Sequence, residues 1–240
     1  MFKLFSKKKQ ADNDNPLDDL GPLYHHYAFF GVNNQQLRGM YPLNQKSKSP
    51  MILAYIAYAI AKSKVNATTP ISFTELFCAD GYYAMAAVRL GCSKSIGIDN
   101  NSRGGHFEKA PVIAERLKIS NVEFQRKDIT PTASFMSTDI VANVGGLYHV
   151  DEPVKILELS YKMANKYLIV QNVVSLENTA DDYYEAPGPG WHWGNRFSAK
   201  SFDNVIKKLG YKVIDYHFNE LEGSRNLAER GSVYYLIQKE

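Results

Sequence analysis

The chain has 240 residues, of which 45% are hydrophobic and 22% charged, so a sizeable core is expected and global disorder is excluded. Its net charge of +3 permits contact with nucleic acid but is too small to indicate a dedicated nucleic-acid binder. Cys78 and Cys92 are too few for a disulfide framework or a zinc site, and they favour a reducing, cytoplasmic compartment. The longest apolar stretch, Met51 to Ala61, is shorter than the about 20 residues that span a bilayer, so no stable membrane insertion is expected.

The chain divides into three predicted regions. Residues 1–20 are polar and charged and are expected to form a flexible basic tail. Residues 21–69 are expected to form a helical cap, in which Ser49 and Pro50 mark the start of a helix that is apolar nearly all round. Such a helix should be buried between layers. Residues 70–240 are expected to form the main domain.

Strand patterns alternate with helix patterns through the main domain. The predicted strands are residues 71–77, 95–99, 122–126, 139–144, 167–174, 211–218 and 232–239, and the predicted helices are residues 82–90, 107–117, 154–164 and 201–209. Because parallel strands are joined by crossover helices, the alternation predicts an α/β fold with a doubly wound, mostly parallel sheet. The last two strands have no helix between them, so they predict an antiparallel hairpin at the end of a seven-stranded sheet.

The loop after the first predicted strand is a candidate cofactor site. It reads Glu75, Leu76, Phe77, Cys78, Ala79, Asp80, Gly81. Ligands of α/β sheets bind outside the carboxyl ends of the strands, where a tight turn lets the backbone approach the ligand closely. Ala79 and Gly81 are small enough for that approach, and Asp80 is expected to cap the following helix. Any strand-to-helix turn of an α/β protein would have a similar pattern.

Acids also follow the next two predicted strands. Asp99, followed by Asn100, comes after Glu75 at close to the about 20-residue spacing at which a strand-end carboxylate binds ribose hydroxyls. Asp128 and Ile129 follow the third strand. Each acid alone would also suit a turn or a helix cap, but acids at successive strand ends are more specific together. A GxGxxG fingerprint is absent, which makes a nicotinamide dehydrogenase the weaker interpretation.

The fourth strand leads to the candidate catalytic residues. It ends in Asn143 and Val144, and two glycines, Leu147, Tyr148 and His149 follow. Histidine has an unperturbed pKa near neutral pH, so His149 is the candidate general base, and Tyr148 is the candidate residue to orient the acceptor. A hydrogen-bonding role for His149 outside catalysis and a packing role for Tyr148 stay open.

These motifs resemble those of class I, Rossmann-like S-adenosylmethionine-dependent methyltransferases. The segment from Glu75 to Gly81 is similar to their acidic-x-G-x-G-x-G motif, with Phe77 and Ala79 in place of the first two glycines. Residues 145–149 also resemble the G-x-L-Y-H run of the wobble-uridine tRNA methyltransferase-like family, whose relatives include a carboxymethyl transferase. The resemblance implies that Asp128 meets the adenine amino group and that Ile129 lies against the ring.

The resemblance therefore implies S-adenosylmethionine as the cofactor. The cofactor-binding residues that it implies are Glu75, Phe77, Cys78, Ala79, Asp80, Gly81, Asp99, Asn100, Asp128, Ile129, Asn143 and Val144.

A segment rich in glycine and proline after the fifth strand is the candidate substrate-binding region. Its members are Trp191, His192, Trp193 and Arg196. Loop aromatics beside the cofactor edge suit ligand stacking, and the planar guanidinium suits a phosphate or a carboxylate. Adjacent histidines, such as His25 and His26, do not share one helix face, so no metal site is expected.

Several functions are compatible with this sequence. The leading hypothesis is a methyltransferase that transfers a methyl group to an oxygen or nitrogen atom of a small molecule, such as a sugar or another metabolite. A tRNA-modifying methyl or carboxymethyl transferase is supported by the resemblance, although the acidic run at residues 181–185 would repel phosphates. A non-catalytic S-adenosylmethionine-binding protein is supported by the two replaced glycines. The sequence does not indicate the oligomeric state.

Overall fold

A computed structural model of the chain describes residues 15–65, 67–102, 104–186 and 194–239. The strands are β1 (Ser72–Leu76), β2 (Lys94–Asp99), β3 (Val122–Arg126), β4 (Thr138–Val144), β5 (Ala164–Val174), β6 (Tyr184–Glu185), β7 (Arg196–Phe197), β8 (Lys212–Glu220) and β9 (Gly231–Gln238). The α-helices are α1 (Tyr41–Lys64), α2 (Tyr82–Arg89), α3 (Ala110–Arg116), α4 (Pro153–Met163) and α5 (Ala199–Lys208). Short 3-10 helices include Tyr27–Phe30, Phe107–Lys109 and Leu147–His149.

Within the described residues, seven strands form one sheet in the order β3-β2-β1-β4-β5-β9-β8. The first five strands pair in parallel, whereas β9 runs antiparallel to both β5 and β8. The predicted doubly wound sheet with an antiparallel ending is therefore confirmed. The chain extends from β1 through β2 to β3 and then returns to the other side of β1 at β4. This reversal opens a crevice at the carboxyl ends of β1 and β4.

Both faces of the sheet are covered by helices, because its central strands are apolar on both sides. Successive residues of β4 alternate between the faces, so Ile140 packs in the cluster that includes α1, and Val141 packs in the cluster that includes α4 and α5. Ile52 and Ile56 of α1 pack on the first face, and Phe202 of α5 packs on the second. These layers hold the strand ends in place around the crevice.

Helix α1 differs from the sequence-based expectation in its start and in its burial. It begins at Tyr41, and Pro50 lies inside it. The hydroxyl of Ser49 lies 3.0 Å from the hydroxyl of Tyr83, so it does not cap a helix. An internal proline removes one backbone hydrogen bond, and the packing of the buried face offsets that loss. The expectation of burial all round is also wrong, because Tyr58 on the outer face is 43% exposed.

The segment before α1 packs beside the first loop of the sheet. Leu23 exchanges backbone hydrogen bonds with Gln35 and Leu37, which closes residues 23–37 into a compact strap. The side chain of Asn34 links two parts of this strap: its oxygen accepts from the Tyr27 N–H, and its amide nitrogen donates to the His25 carbonyl. Of the predicted tail, residues 1–14 lie outside the described residues.

Candidate active site

A cavity of about 510 Å³ lies at the carboxyl ends of the parallel strands. Its walls come from the strap, from α1 and from the loops after β1, β2, β3 and β4. The lining residues include Tyr24, His25, Lys48, Glu75, Phe77, Ala79, Asp99, Asn100, Ile129, Val144, Gly145, Tyr148, His149, Gln171, Arg196 and Glu229. A volume of this size is typical of small-molecule sites, which span about 300–1,000 Å³.

The loop after β1 has a backbone conformation that glycine usually supplies. The φ angles are 59° at Phe77, 46° at Ala79 and 77° at Gly81. Non-glycine residues rarely adopt the left-handed region, because the Cβ atom then approaches the following carbonyl oxygen. The Phe77 ring occupies the place that a side chain on Gly146 would need. The two residues that replace the family's glycines therefore keep the left-handed conformation.

Asp99, the last residue of β2, holds this loop. One carboxylate oxygen accepts the N–H of Ala79 at 3.0 Å, and the other accepts the N–H of Asn101 at 2.7 Å. A carboxylate has about four lone-pair positions, so both oxygens can accept further hydrogen bonds from a ligand in the cavity. Asp99 therefore connects the end of β2 to the loop after β1.

Glu75, in contrast, is directed toward the start of α2. It is 1% exposed, and its carboxylate accepts the N–H of Ala84 at 2.7 Å. Burial raises the pKa of Glu75 well above its usual value, although the backbone hydrogen bonds of Ala84 and Tyr83 oppose that shift. Because Glu75 also lines the cavity, its charge is sensitive to any ligand that binds there.

Asp80 does not have the capping role that the sequence suggested. Gly81 occupies the N-cap position of α2, so the N-cap residue has no side chain with which to cap that helix. The Asp80 carboxylate is instead fully buried against the strap, where it accepts the His25 N–H at 2.9 Å and pairs with the His25 ring at 2.5 Å. The Tyr27 hydroxyl also donates to the Asp80 carbonyl. Burial alone would raise the pKa of Asp80, but His25 holds it below its usual value.

The other predicted cofactor residues are divided between the cavity and its surroundings. Asn100 and the buried Ile129 line the cavity, as does Val144. Asp128 is exposed and binds the side-chain amide of Asn100 at 3.0 Å. Asn143 is buried and donates to the hydroxyl of Ser160 at 2.9 Å. The predicted cofactor residues that do not line the cavity are Cys78, Asp80, Gly81, Asp128 and Asn143.

The candidate catalytic residues lie together on the short helix after β4. The rings of Tyr148 and His149 are 4.1 Å apart, and both line the cavity. The N–H groups of Gly194 and Asn195 both donate to the Tyr148 carbonyl, at 2.8 and 3.1 Å. The Asn195 amide donates to the carbonyls of Leu147 and Val150, each at 2.7 Å. Asn195, which the sequence analysis missed, therefore fixes this turn.

Arg196 lines the cavity but is paired within the chain. One guanidinium nitrogen lies 2.5 Å from a carboxylate oxygen of Glu229, and another donates to the Asn195 carbonyl at 2.7 Å. A buried pair of this kind leaves less of the fork available for the expected phosphate or carboxylate. Trp191, His192 and Trp193 lie outside the described residues.

Further residues of the cavity wall come from the part of the chain before β1. Tyr24 and His25 of the strap and Lys48 of α1 line the cavity. Lys48 precedes Ile52 and Ile56 at the helical spacing of four residues, and this signal could have placed it on the buried face. Among the described residues, no group of His, Cys, Asp and Glu side chains suits a metal ion, and no helix has the length and apolar character to cross a membrane.

Comparison with solved structures identifies similar folds. Magnesium protoporphyrin IX methyltransferase from Synechocystis PCC 6803 with bound SAH aligns with a TM-score of 0.62 and 12% identity over 90% of this chain and 93% of that one. The N-terminal domain of EvdMO1 with SAH aligns with a TM-score of 0.59 and 17% identity over 92% of this chain and 93% of that one. The [4+2]-cyclase SpnF aligns with a TM-score of 0.59 and 13% identity over 77% of this chain and 79% of that one.

Neither a protein-family model nor a curated protein matches the sequence. At these identities the structural similarity shows the fold: the chain has the Rossmann-like methyltransferase fold with an additional N-terminal helix. One of the similar structures is named as a cyclase, so the reaction must be argued from the site.

Proposed function

We propose that this chain is an S-adenosylmethionine-dependent methyltransferase that acts on an oxygen or nitrogen atom of a small molecule. The observation that carries the proposal is the shared cavity. It joins the Asp99 carboxylate and the first loop at one end to Tyr148 and His149 at the other. The bound SAH in two of the similar structures supports the cofactor assignment, and the cytoplasmic location remains a prediction from cysteine usage.

The residues of the first loop and of the β2 end fit the cofactor. One oxygen of Asp99 accepts the Ala79 N–H of the first loop and the other accepts the Asn101 N–H after β2, and their remaining lone pairs suit a ribose with two adjacent hydroxyls. Buried Ile129 offers an apolar surface for the adenine ring. When bound, S-adenosylmethionine supplies a methyl group that is activated by the positive charge on its sulfur atom.

The remaining chemistry is alignment and proton removal. His149 lines the cavity, where it would accept the proton that an acceptor hydroxyl or amine loses on methylation. Tyr148, fixed by Gly194 and Asn195, has the position to orient that acceptor. The strap closes the same cavity with Tyr24 and His25, which would keep water from the reacting atoms.

Calorimetric titration with S-adenosylmethionine, SAH and NAD tests the cofactor assignment. Micromolar binding of the first two without binding of NAD is expected. An acceptor screen that includes tRNA then separates the small-molecule function from its alternatives, because phosphate contacts weaken steeply with added salt. Absence of binding of both methionine-derived ligands would contradict the proposal, and binding without turnover on any acceptor would favour the non-catalytic alternative.

A further inference from the structure

Lys48 is a buried cation that no described residue neutralises. It lies on the inner face of α1, is 4% exposed and lines the cavity. The structure gives its ammonium group no hydrogen bond or ion pair among the described residues. Burial lowers the pKa of Lys48 to about 8, and no neighbouring charge contributes to that shift. A buried charge without a partner is strongly unfavourable, so a ligand that compensates it would gain affinity.

Three polar groups converge on Gly145, the first residue after β4. The position that a Cβ atom would take there lies 3.8 Å from Lys48 Nζ, 3.8 Å from Gln171 Oε1 and 3.9 Å from the Tyr148 hydroxyl. Gln171 is fully buried, and its Oε1 accepts no hydrogen bond from the described residues. Because glycine leaves this space open, one ligand group can contact all three side chains.

The charges that line the cavity are unevenly distributed. The carboxylates of Glu75 and Asp99 lie at the β1 and β2 end, whereas Lys48 lies at the β4 and β5 end. Among the described lining residues, the lysine and arginine side chains are those of Lys48 and Arg196, and Glu229 already binds Arg196. A cationic sulfonium and the Lys48 ammonium would repel each other in this cavity unless an anion lay beside them.

We propose that Lys48, Tyr148 and Gln171 form a subsite that binds the carboxylate of an acidic acceptor, and this inference rests on the proposed function. The ammonium and the phenol hydroxyl donate to the carboxylate oxygens. The Gln171 amide oxygen accepts from a hydroxyl or amine next to that carboxylate on the same molecule. The acceptor class is therefore a small hydroxy acid or amino acid, including aromatic ones.

Salicylate and salicylamide are suitable probes, because both have a hydroxyl group beside the carbonyl carbon and only salicylate is an anion. Their affinities for the SAH-saturated protein are measured in the wild type, in Lys48→Met and in the control Lys46→Met, whose side chain is exposed on the same helix. The wild type and the control are expected to prefer salicylate by about tenfold or more, and Lys48→Met to lose that preference. No preference in the wild type, or an unchanged preference in Lys48→Met, would overturn the proposal.

A second measurement separates the acceptor from the donor, whose own amino-acid carboxylate is another possible source of the anion. SAH carries this carboxylate, and methylthioadenosine lacks it. Lys48→Met is expected to bind both as the wild type does, within about twofold. A selective loss of SAH affinity would mean that Lys48 binds the carboxylate of the donor, and that result would overturn the acceptor subsite. Failure of the wild type to bind either compound would instead refute the proposed function.

The thermal midpoint of the ligand-free protein shows whether Lys48 serves the fold. Methionine keeps the length of the side chain and removes the unpaired charge, so Lys48→Met is expected to unfold at a higher temperature than the wild type. A lower midpoint would mean that the ammonium stabilises the fold itself, and that result would overturn the ligand-binding role.

Discussion

Ala79 carries local backbone strain in the loop after β1. Its φ of 46° lies in the left-handed region, which costs a non-glycine residue about 1–2 kcal/mol. Glycine would relieve this strain and would lose only about 0.4–1 kcal/mol through the greater entropy of the unfolded chain. We therefore expect Ala79→Gly to leave the free energy of unfolding unchanged or to raise it by up to about 1 kcal/mol in urea titrations.

Ala87→Gly provides the matched control for that measurement. Ala87 is fully buried in α2, where glycine costs about 1 kcal/mol in helix propensity besides the lost packing. The control is therefore expected to be destabilised. Equal destabilisation of the two variants would mean that the left-handed conformation of Ala79 is not strained.

Asp99 binds the loop after β1 and lines the cavity, so under the proposed function its charge is expected to contribute to cofactor affinity. Asp99→Asn keeps the size of the side chain but replaces one acceptor oxygen with a donor nitrogen. Hydrogen bonds to charged groups contribute about 1.5–3 kcal/mol, so a loss of about tenfold to 100-fold in SAH affinity is expected by calorimetry. Glu123→Gln, at an exposed position of β3, is the control and should bind SAH as the wild type does. An unchanged affinity in Asp99→Asn would remove Asp99 from the cofactor site.

The strap of residues 23–37 is attached to the cofactor loop mainly through one buried pair. His25 binds Asp80 through both its backbone N–H and its ring, and the ring stacks on Tyr82 at 4.8 Å. We expect His25→Ala to destabilise the protein by about 3 kcal/mol or more, because it leaves the Asp80 carboxylate buried without the ring that binds it. Hydrogen exchange of the strap should then become faster.

The neighbouring histidine offers a close comparison. His26 is only partly buried and contacts the side chain of Asn33 at 3.1 Å, away from the loop. His26→Ala should therefore change strap exchange little. If both variants exchanged alike, the Asp80 pair would not be what attaches the strap.

The succession of strands and helices along the chain could be predicted from the sequence, because buried strands and amphipathic helices differ in apolar period. β3, for example, has the predicted bounds, and the candidate residues that follow β4 line one cavity. Helix α1 was predicted less well because Ser49 and Pro50 have the local chemistry of a helix start. The packing of the helix on the sheet overrides that chemistry, and local sequence does not encode this contact.

The part of the site contributed by α1 was missed for a related reason. Polar residues such as Asn44 and Lys48 are usually exposed, so their pattern suggests a solvent-facing segment. Here both side chains are buried and line the cavity. Asp80 shows the same limit: its turn position predicts a cap, but the buried partner that binds it lies 55 residues away in the chain.

The folded protein keeps acids buried at the carboxyl edge of its sheet, and these acids should make its stability depend on pH. The pKa of Glu75 is raised above its unfolded value of about 4.3, so folding favours the protonated form. That contribution is fully present below pH about 4.3 and is lost as the pH rises through the folded pKa. The pKa of Asp80 is lowered, so its contribution is present above about pH 3.9 and is lost only in stronger acid.

Glu75→Gln isolates the first contribution, because the amide oxygen can still accept the Ala84 N–H while the titration is removed. In urea titrations from about pH 5 to 9, the variant should gain stability relative to the wild type as the pH rises, by at most about 1.4 kcal/mol per pH unit. A stability difference that does not change with pH would contradict the buried titration.

A positively charged ligand favours the ionised carboxylate of Glu75, so Glu75→Gln should lose more affinity for S-adenosylmethionine than for SAH, whose sulfur is uncharged. Equal losses for the two ligands would mean that Glu75 stabilises the loop without sensing the sulfonium.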